Sequence, residues 1–232
     1  MEIRIGTSGY HYKHWIGRYY PDDMKPAGML AWYLRDFDTV ELNNTFYHLP
    51  KESAFDSWRD AVPSDFLYAV KGSRFITHMI KLKDPDRGIV NFVPRAQRLG
   101  RKLGPILWQL PPGWNVNVER LDEFLRSLPK GIRYAFELRN QSWMTDAVLE
   151  VLKKYDAAFC IYELAGYQSP SKSPQAGPTS ASTVRPRSST RAATATNSSR
   201  NGRSGSTIGS ATCAPPTSTS TTTTPRTPST TR

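Results

Sequence analysis

The sequence predicts an α/β fold built from parallel βα units. Short apolar runs recur about every 25 to 30 residues, a spacing that leaves room for one helix between strands. A segment of helical character follows most of these runs, and polar residues gather just beyond the strand ends.

The first strand is Ile3 to Gly6, running into Thr7-Ser8-Gly9. Met24 to Leu34 can form a helix, with Pro26 tolerated in its first turn. Thr39 to Leu42 is the second strand, Lys51 to Ala61 the next helix and Phe66 to Val70 the third strand. Phe92 to Arg101 is helical and precedes a strand from Ile106 to Leu110, which Pro111-Pro112 terminates. Val118 to Leu128 carries its apolar residues on one helical stripe. Tyr134 to Leu138 is the fifth strand, Thr145 to Tyr155 a helix and Ala157 to Ile161 the sixth strand.

Composition divides the 232 residues in two. Residues 1–163 hold all 20 acidic residues and 23 of the 31 Lys and Arg, a net of +3, whereas the whole chain stands at +11. From Ser169 to Arg232 there are 31 Ser or Thr, eight Pro, no aromatic residue and no acid. Such a segment cannot bury enough apolar surface to offset chain entropy, so disorder is expected there. The expected division is therefore a partial barrel domain over 1–168 and a low-complexity tail over 169–232.

A change of reading frame accounts for the abrupt switch. Read from the third base of generic codons, Thr179 to Arg185 permits V-R-L-H-G-P. Ser189 to Gly202 permits Y-Q-G-S-Y-S-D-E-Q-L-A-E-W, and Pro216 to Thr224 permits a D-V-Y-V-Y run. Acids, aromatics and a strand–helix pattern return. Six units are visible and the shifted frame supplies two more, the number that closes a TIM-barrel-like (β/α) fold; six alone would also suit an open doubly wound sheet. A barrel lacking two units leaves strand edges and apolar helix faces uncovered, so the chain as written is expected to be poorly soluble or unstable.

No stretch approaches the roughly 20 apolar residues of a membrane span. The N-terminus has no basic region leading into an apolar one, as a secretory signal requires. Two cysteines, Cys160 and Cys213, make no disulfide framework, and Cys160 lies in an apolar run as a packing residue. A cytoplasmic protein without membrane attachment is expected.

In βα barrels, chemistry collects at the C-terminal strand ends. Thr7, Ser8 and Tyr10 follow strand one, and Glu41, Asn43 and Tyr47 close strand two. Lys71 follows strand three, with Thr77-His78 in the next loop. Gln109 ends strand four, and Glu137 and Arg139 end strand five with Trp143 just beyond. Glu41 and Asn43 are two apart, as are Glu137 and Arg139, so each pair points to one side of an extended strand. Charge so close to a barrel core must be paired or serve a ligand. Glu41, Glu137, Lys71 and His78 are the candidate catalytic groups, for acid–base work and stabilisation of negative charge. Thr7, Ser8, Tyr10, Asn43, Tyr47, Gln109, Arg139 and Trp143 are candidates for substrate binding.

Each feature also has a structural reading. Thr7-Ser8-Gly9 can be a tight turn, Glu137 with Arg139 an internal ion pair, and His78 a backbone cap. Tyr10, Tyr12, Trp15, Tyr19 and Tyr20 can pack loops or stack a sugar or base. The Thr-Ser-Gly run lacks the spacing of a phosphate-cradling loop or a dinucleotide fingerprint, so no cofactor is named. Four histidines without ligand spacing and no H-E-x-x-H give no metal site.

The ordered motifs resemble the DUF72 family, also called YecE-like proteins, whose function is uncharacterised. The resemblance runs through Gly6-Thr7-Ser8-Gly9-Tyr10, Trp15, Tyr20-Pro21 and Glu41-Leu42-Asn43-Asn44-Thr45-Phe46-Tyr47. It continues with Val70-Lys71, Thr77-His78, Leu103-Gly104-Pro105, Gln109-Leu110-Pro111-Pro112, Glu137-Leu138-Arg139 and Ser142-Trp143. It covers about residues 1–168 and implies a TIM-barrel-like fold of around eight βα units. The family continues with an R-L-H-G segment and a Y-V-Y-F-x-N-D-type strand, close to the words that the shifted frame permits. This chain departs from the family beyond Gln168, which implies that the last rim residues and the activity are lost.

Two functional classes follow. One is an enzyme acting on a small polar or phosphorylated substrate; the other is a non-catalytic module binding an anion or nucleic acid. A third reading is a rim that satisfies only itself. The net of +3 in residues 1–163 gives nucleic acid little support. Oligomeric state is not readable.

Overall fold

A computed structural model describes residues 3–164 and 167–168. The expected division at Gln168 and the reading of 169–232 as a disordered, frame-shifted tail lie outside the described residues.

Six strands form one wholly parallel sheet: β1 (Thr7–Ser8), β2 (Thr39–Leu42), β3 (Leu67–Lys71), β4 (Leu103–Leu110), β5 (Tyr134–Leu138) and β6 (Ala158–Phe159). Each strand pairs with its predecessor in sequence, so the order never reverses. Between them lie α1 (Met29–Tyr33), α2 (Asn44–Tyr47), α3 (Glu52–Asp60), α4 (Pro85–Gln97), α5 (Val118–Ser127) and α6 (Asp146–Lys154). Two further strands, β7 (Glu163–Leu164) and β8 (Tyr167–Gln168), pair antiparallel in a separate two-stranded sheet.

Parallel strands require crossovers, and the crossover helices pack on a single face. Val40, Val70, Trp108, Phe136 and Phe159 of the strands share one core with Tyr33, Phe55, Phe92, Phe124 and Leu152 of α1, α3, α4, α5 and α6. Every one of these side chains is buried. A doubly wound sheet would reverse its strand order and carry helices on both faces; neither occurs among the described residues.

Local chemistry sets several boundaries. The Asn117 side chain accepts a 2.8 Å hydrogen bond from the Arg120 amide and caps α5. Thr145 caps α6 in the same way through the Val148 amide. Gly6 has no room for a side chain, since a Cβ there would lie 2.2 Å from the Thr39 carbonyl oxygen.

Three expectations are corrected. Strand one is expected at Ile3 to Gly6, but the paired residues are Thr7 and Ser8, aligned with Val40 and Glu41. The helix expected over Met24 to Leu34 is a 3-10 turn at Pro26–Gly28 followed by the five residues of α1. The helix expected from Phe92 begins at Pro85 and ends at Gln97. Between β3 and α4, Phe75–Met79 forms a π-helical turn that the sequence did not announce. Among the described residues, no helix is long and apolar enough to cross a membrane.

Candidate functional site

Strand parity builds the site. Along β4, Ile106, Trp108 and Leu110 join the helix-side core, so Leu107 and Gln109 point to the opposite face. Along β5, Tyr134, Phe136 and Leu138 face the helices, leaving Ala135 and Glu137 on the other side. Register then places Leu107 beside Ala135 and Gln109 beside Glu137. Lys71 lies level with Leu107, and Ser8 with Glu41. The face away from the helices therefore has an apolar layer, including Leu107, Ala135 and Cys160, and a polar layer at the C-terminal strand ends.

Two carboxylates in that polar layer are buried, at 5% exposure for Glu41 and 2% for Glu137. Their partners differ. Glu137 accepts hydrogen bonds from Gln109 Nε2 at 3.0 Å to each oxygen and from Arg139 Nε at 2.5 Å. This charge-assisted set commits Glu137 to holding the guanidinium. Among the described residues, Glu41 accepts only the Ser8 hydroxyl, 2.6 Å from Oε1, and Ser8 Oγ in turn accepts from Asn43 Nδ2 at 2.7 Å. Asn43 Oδ1 is buried with no hydrogen-bond partner among the described residues.

Burial raises the pKa of Glu41 above the ordinary carboxyl range. Lys71 and the Ser8 hydroxyl oppose that rise, the nearby Glu137 carboxylate reinforces it, and Arg139 opposes it. The Cys160 thiol is pushed up by burial, with both carboxylates adding to the effect, so it is a packing group rather than a nucleophile.

Lys71 Nζ lies 5.1 Å from the centroid of the Phe46 ring, and the His78 ring meets Phe46 edge-on at 5.1 Å. His78 Nδ1 is 2.8 Å from the hydroxyl of the buried Thr77. Burial, together with the positive charges of Arg74, Arg139 and Lys71, lowers the His78 pKa.

The structure thus brings together Ser8, Glu41, Asn43, Lys71, Gln109, Glu137 and Arg139, with His78 at their margin. The remaining candidates lie elsewhere. Thr7 Oγ1 donates to the Gly9 carbonyl at 2.7 Å and lies 3.0 Å from the Tyr33 hydroxyl, on the helix side. Tyr10 packs against Tyr33 at 5.9 Å between ring centroids. Trp143 is fully buried against Trp114 and donates Nε1 to its carbonyl at 2.7 Å. Tyr47 is largely exposed, its ring packed edge-on against Phe46. The early aromatic group is a packing cluster, with Trp15 against Tyr12, Tyr19 and Tyr20.

Sequence reasoning did not single out Arg74 or assign a role to Phe46. Arg74 occupies the segment after β3, where a rim residue is expected. Among the described residues, no group of three His, Cys, Asp or Glu is arranged to hold a metal.

A family model described as "Protein of unknown function DUF72" matches residues 4–205, continuing beyond Gln168 into the Ser/Thr-rich segment. The UPF0759 protein YecE of Escherichia coli K12 is 33% identical over 109 residues, which are 47% of this chain and 40% of that protein. A DUF72 family protein from Thermotoga maritima superposes with a TM-score of 0.64 at 30% identity, covering 70% of this chain and 65% of the other. One from Enterococcus faecalis, at 21% identity and a TM-score of 0.59, is similar in fold, covering 70% of this chain and 61% of its own. The chain thus matches less than half the length of the curated relative and about two thirds of each solved one.

Proposed function

The chain belongs to the DUF72 family of proteins of unknown function, and we propose that the polar face of its sheet is the site of an acid–base enzyme for a small polar or anionic substrate. The observation that carries this reading is the contrast between two neighbouring carboxyls. Glu137 is bound by Gln109 and Arg139, whereas Glu41 is buried, holds its proton to higher pH than usual and has one oxygen fixed by Ser8. Carboxyls held in different surroundings take different roles.

Glu41 is the proton donor. Ser8 holds Oε1, leaving Oε2 to deliver the proton to a leaving oxygen and to recover one from water or a substrate hydroxyl. Lys71 and Arg139 stabilise the negative charge that develops. Asn43 Oδ1 accepts from a substrate hydroxyl, answering its own lack of a partner.

We also propose that the six strands are part of a closed TIM-barrel-like wall and that residues 169–232 are read out of frame. Sequential strand order and helices on one face support the barrel. Ile3 and Ile5, 74% and 72% exposed, are the kind of apolar surface that a further crossover helix would cover. On this reading the 232-residue chain, a partial domain over 1–168 with an out-of-frame tail, does not turn over, and the frame-corrected protein does. Resequencing the coding DNA from codon 160 to the stop tests the frame: an inserted or deleted base restoring R-L-H-G supports it, and an intact frame refutes it.

Turnover is tested in the frame-corrected protein against a panel of sugar phosphates and glycosides, with products followed by NMR. Glu41→Gln should lower kcat by about 10²–10⁴-fold while leaving KM nearly unchanged. Changed affinity without any turnover to lose would favour the non-catalytic anion-binding module. The small net charge of residues 1–163 gives nucleic acid no support as the ligand.

A further inference from the structure

We infer that Lys71, Arg74, His78 and Arg139 form a subsite for the dianionic phosphate group of a phosphomonoester. This deepens the proposed function and rests on the reading of that face as a small-substrate site.

Two of the groups meet on the Phe46 ring, and the two arginines act on His78 from neighbouring segments. Lys71 ends β3 with its ammonium over Phe46, and His78 meets the same ring edge-on. Arg74 caps the π-helical turn that carries His78, and Arg139 follows β5. Thr77 engages His78 at Nδ1, leaving Nε2 as the ring nitrogen without a hydrogen-bond partner among the described residues. Lys71, Arg74 and Arg139 all act on that imidazole and favour its neutral form. The Thr77 hydroxyl can donate either to Nδ1 or to the Ser73 carbonyl 3.4 Å away; when it donates to Nδ1, the neutral imidazole carries its proton on Nε2, where it can donate to a phosphate oxygen.

Charge balance selects the ligand. Arg139 is ion-paired with Glu137, but among the described residues the side chains of Lys71 and Arg74 make neither an ion pair nor a hydrogen bond. Arg139 is thus matched by Glu137, which leaves the ammonium of Lys71 and the guanidinium of Arg74 beside His78 as two cations that no ion pair engages among the described residues, the complement of a phosphomonoester dianion.

The backbone supports a built site. A π-helical turn is rare and recurs at functional positions. Immediately after it, Lys81, Leu82 and Asp84 adopt φ of 49°, 60° and 45°. Non-glycine residues in that region are strained and persist where their surroundings fix them; here the buried Leu82 anchors the segment.

The test follows histidine Cε1–H resonances of the full 232-residue chain during titration with inorganic phosphate at constant ionic strength. His78 is assigned by the signal missing in His78→Gln. The expected result is a saturable shift of His78 but not of His11, His14 or His48, with the His78 titration midpoint moving upward as the dianion offsets the three cations. Arg74→Gln and Lys71→Gln should each weaken phosphate binding about tenfold, as expected for a lost charge-assisted contact. No saturable shift at His78, an equal response to acetate, or unchanged affinity in both variants would overturn the subsite. Glu41→Gln in the frame-corrected protein, followed for both turnover and the His78 response to phosphate, separates the two readings. Phosphate binding at His78 with turnover unaffected by that substitution defeats only the acid–base reading. Turnover lost without any phosphate response defeats only the subsite.

Discussion

Arg139→Leu should destabilise the protein by breaking a buried ion pair from one side. The Glu137 side chain is 3% exposed and that of Arg139 is 24% exposed, with 2.5 Å between Nε and Oε1. Leucine retains much of the aliphatic packing but removes the cation. Glu137 would keep only the Gln109 amide. Removing one partner of a buried pair costs about 3–5 kcal/mol, because the remaining charge has lost its compensation. The Gln109 amide still supports the carboxylate, so the lower end, about 3 kcal/mol, is expected. With a urea m value of about 2 kcal/mol/M, the unfolding midpoint falls by about 1.5 M. Glu137→Gln combined with Arg139→Leu should recover most of the loss, since a neutral amide needs no counter-charge. A loss below about 1 kcal/mol, the scale of a solvated surface pair, would refute the reasoning.

Three further outcomes follow from the same geometry. Gly72→Ala would place a Cβ 2.2 Å from Cε3 of the fully buried Trp108, and overpacking should cost about 1–3 kcal/mol in urea unfolding. Trp143→Phe removes the donor to the Trp114 carbonyl and should cost about 1–3 kcal/mol, with loss of the corresponding indole N–H resonance. Glu41 has a raised folded-state pKa, so its contribution is greatest below its unfolded pKa and is lost as pH rises through the folded value. Glu41→Gln should flatten that dependence and make the variant the more stable protein at alkaline pH, and urea midpoints across pH would show the crossing.

Much of the site was legible because a strand has a period of two. Glu41 and Asn43, and Glu137 and Arg139, could be assigned to shared sides of their strands without coordinates. The same parity explains the candidates that lie elsewhere. Thr7 is one residue from Ser8 and turns toward Tyr33 on the helix side. Tyr10 follows Gly9, whose φ of 84° redirects the chain, and Trp143 lies beyond the strand in a turn that buries it. Local signals were weakest where tertiary pairing decides. Ile3 to Gly6 reads as a strand, yet Arg4 bonds the Asp38 side chain and the Asp65 carbonyl while pairing begins at Thr7. Nothing in Phe75 to Asp84 announces a π-helical turn followed by three left-handed residues, because their conformation is set by what they pack against.

The electrostatics of the site are a consequence of how the sheet is layered. Leu107 and Ala135 occupy the positions immediately preceding Gln109 and Glu137 on the same face, where they supply an apolar floor. A polar layer on such a floor is desolvated from below, and desolvation raises the pKa of Glu41. The cations then approach from above, on strand ends and the irregular turn, where Lys71 and Arg74 reach water more readily than the carboxyls do. On the proposed reading, a proton held on the floor beneath positive charge at the mouth serves to receive an anion and protonate it. Neither layer would suffice alone: the floor without the cations would only bury acids, and the cations without the floor would only bind counter-ions.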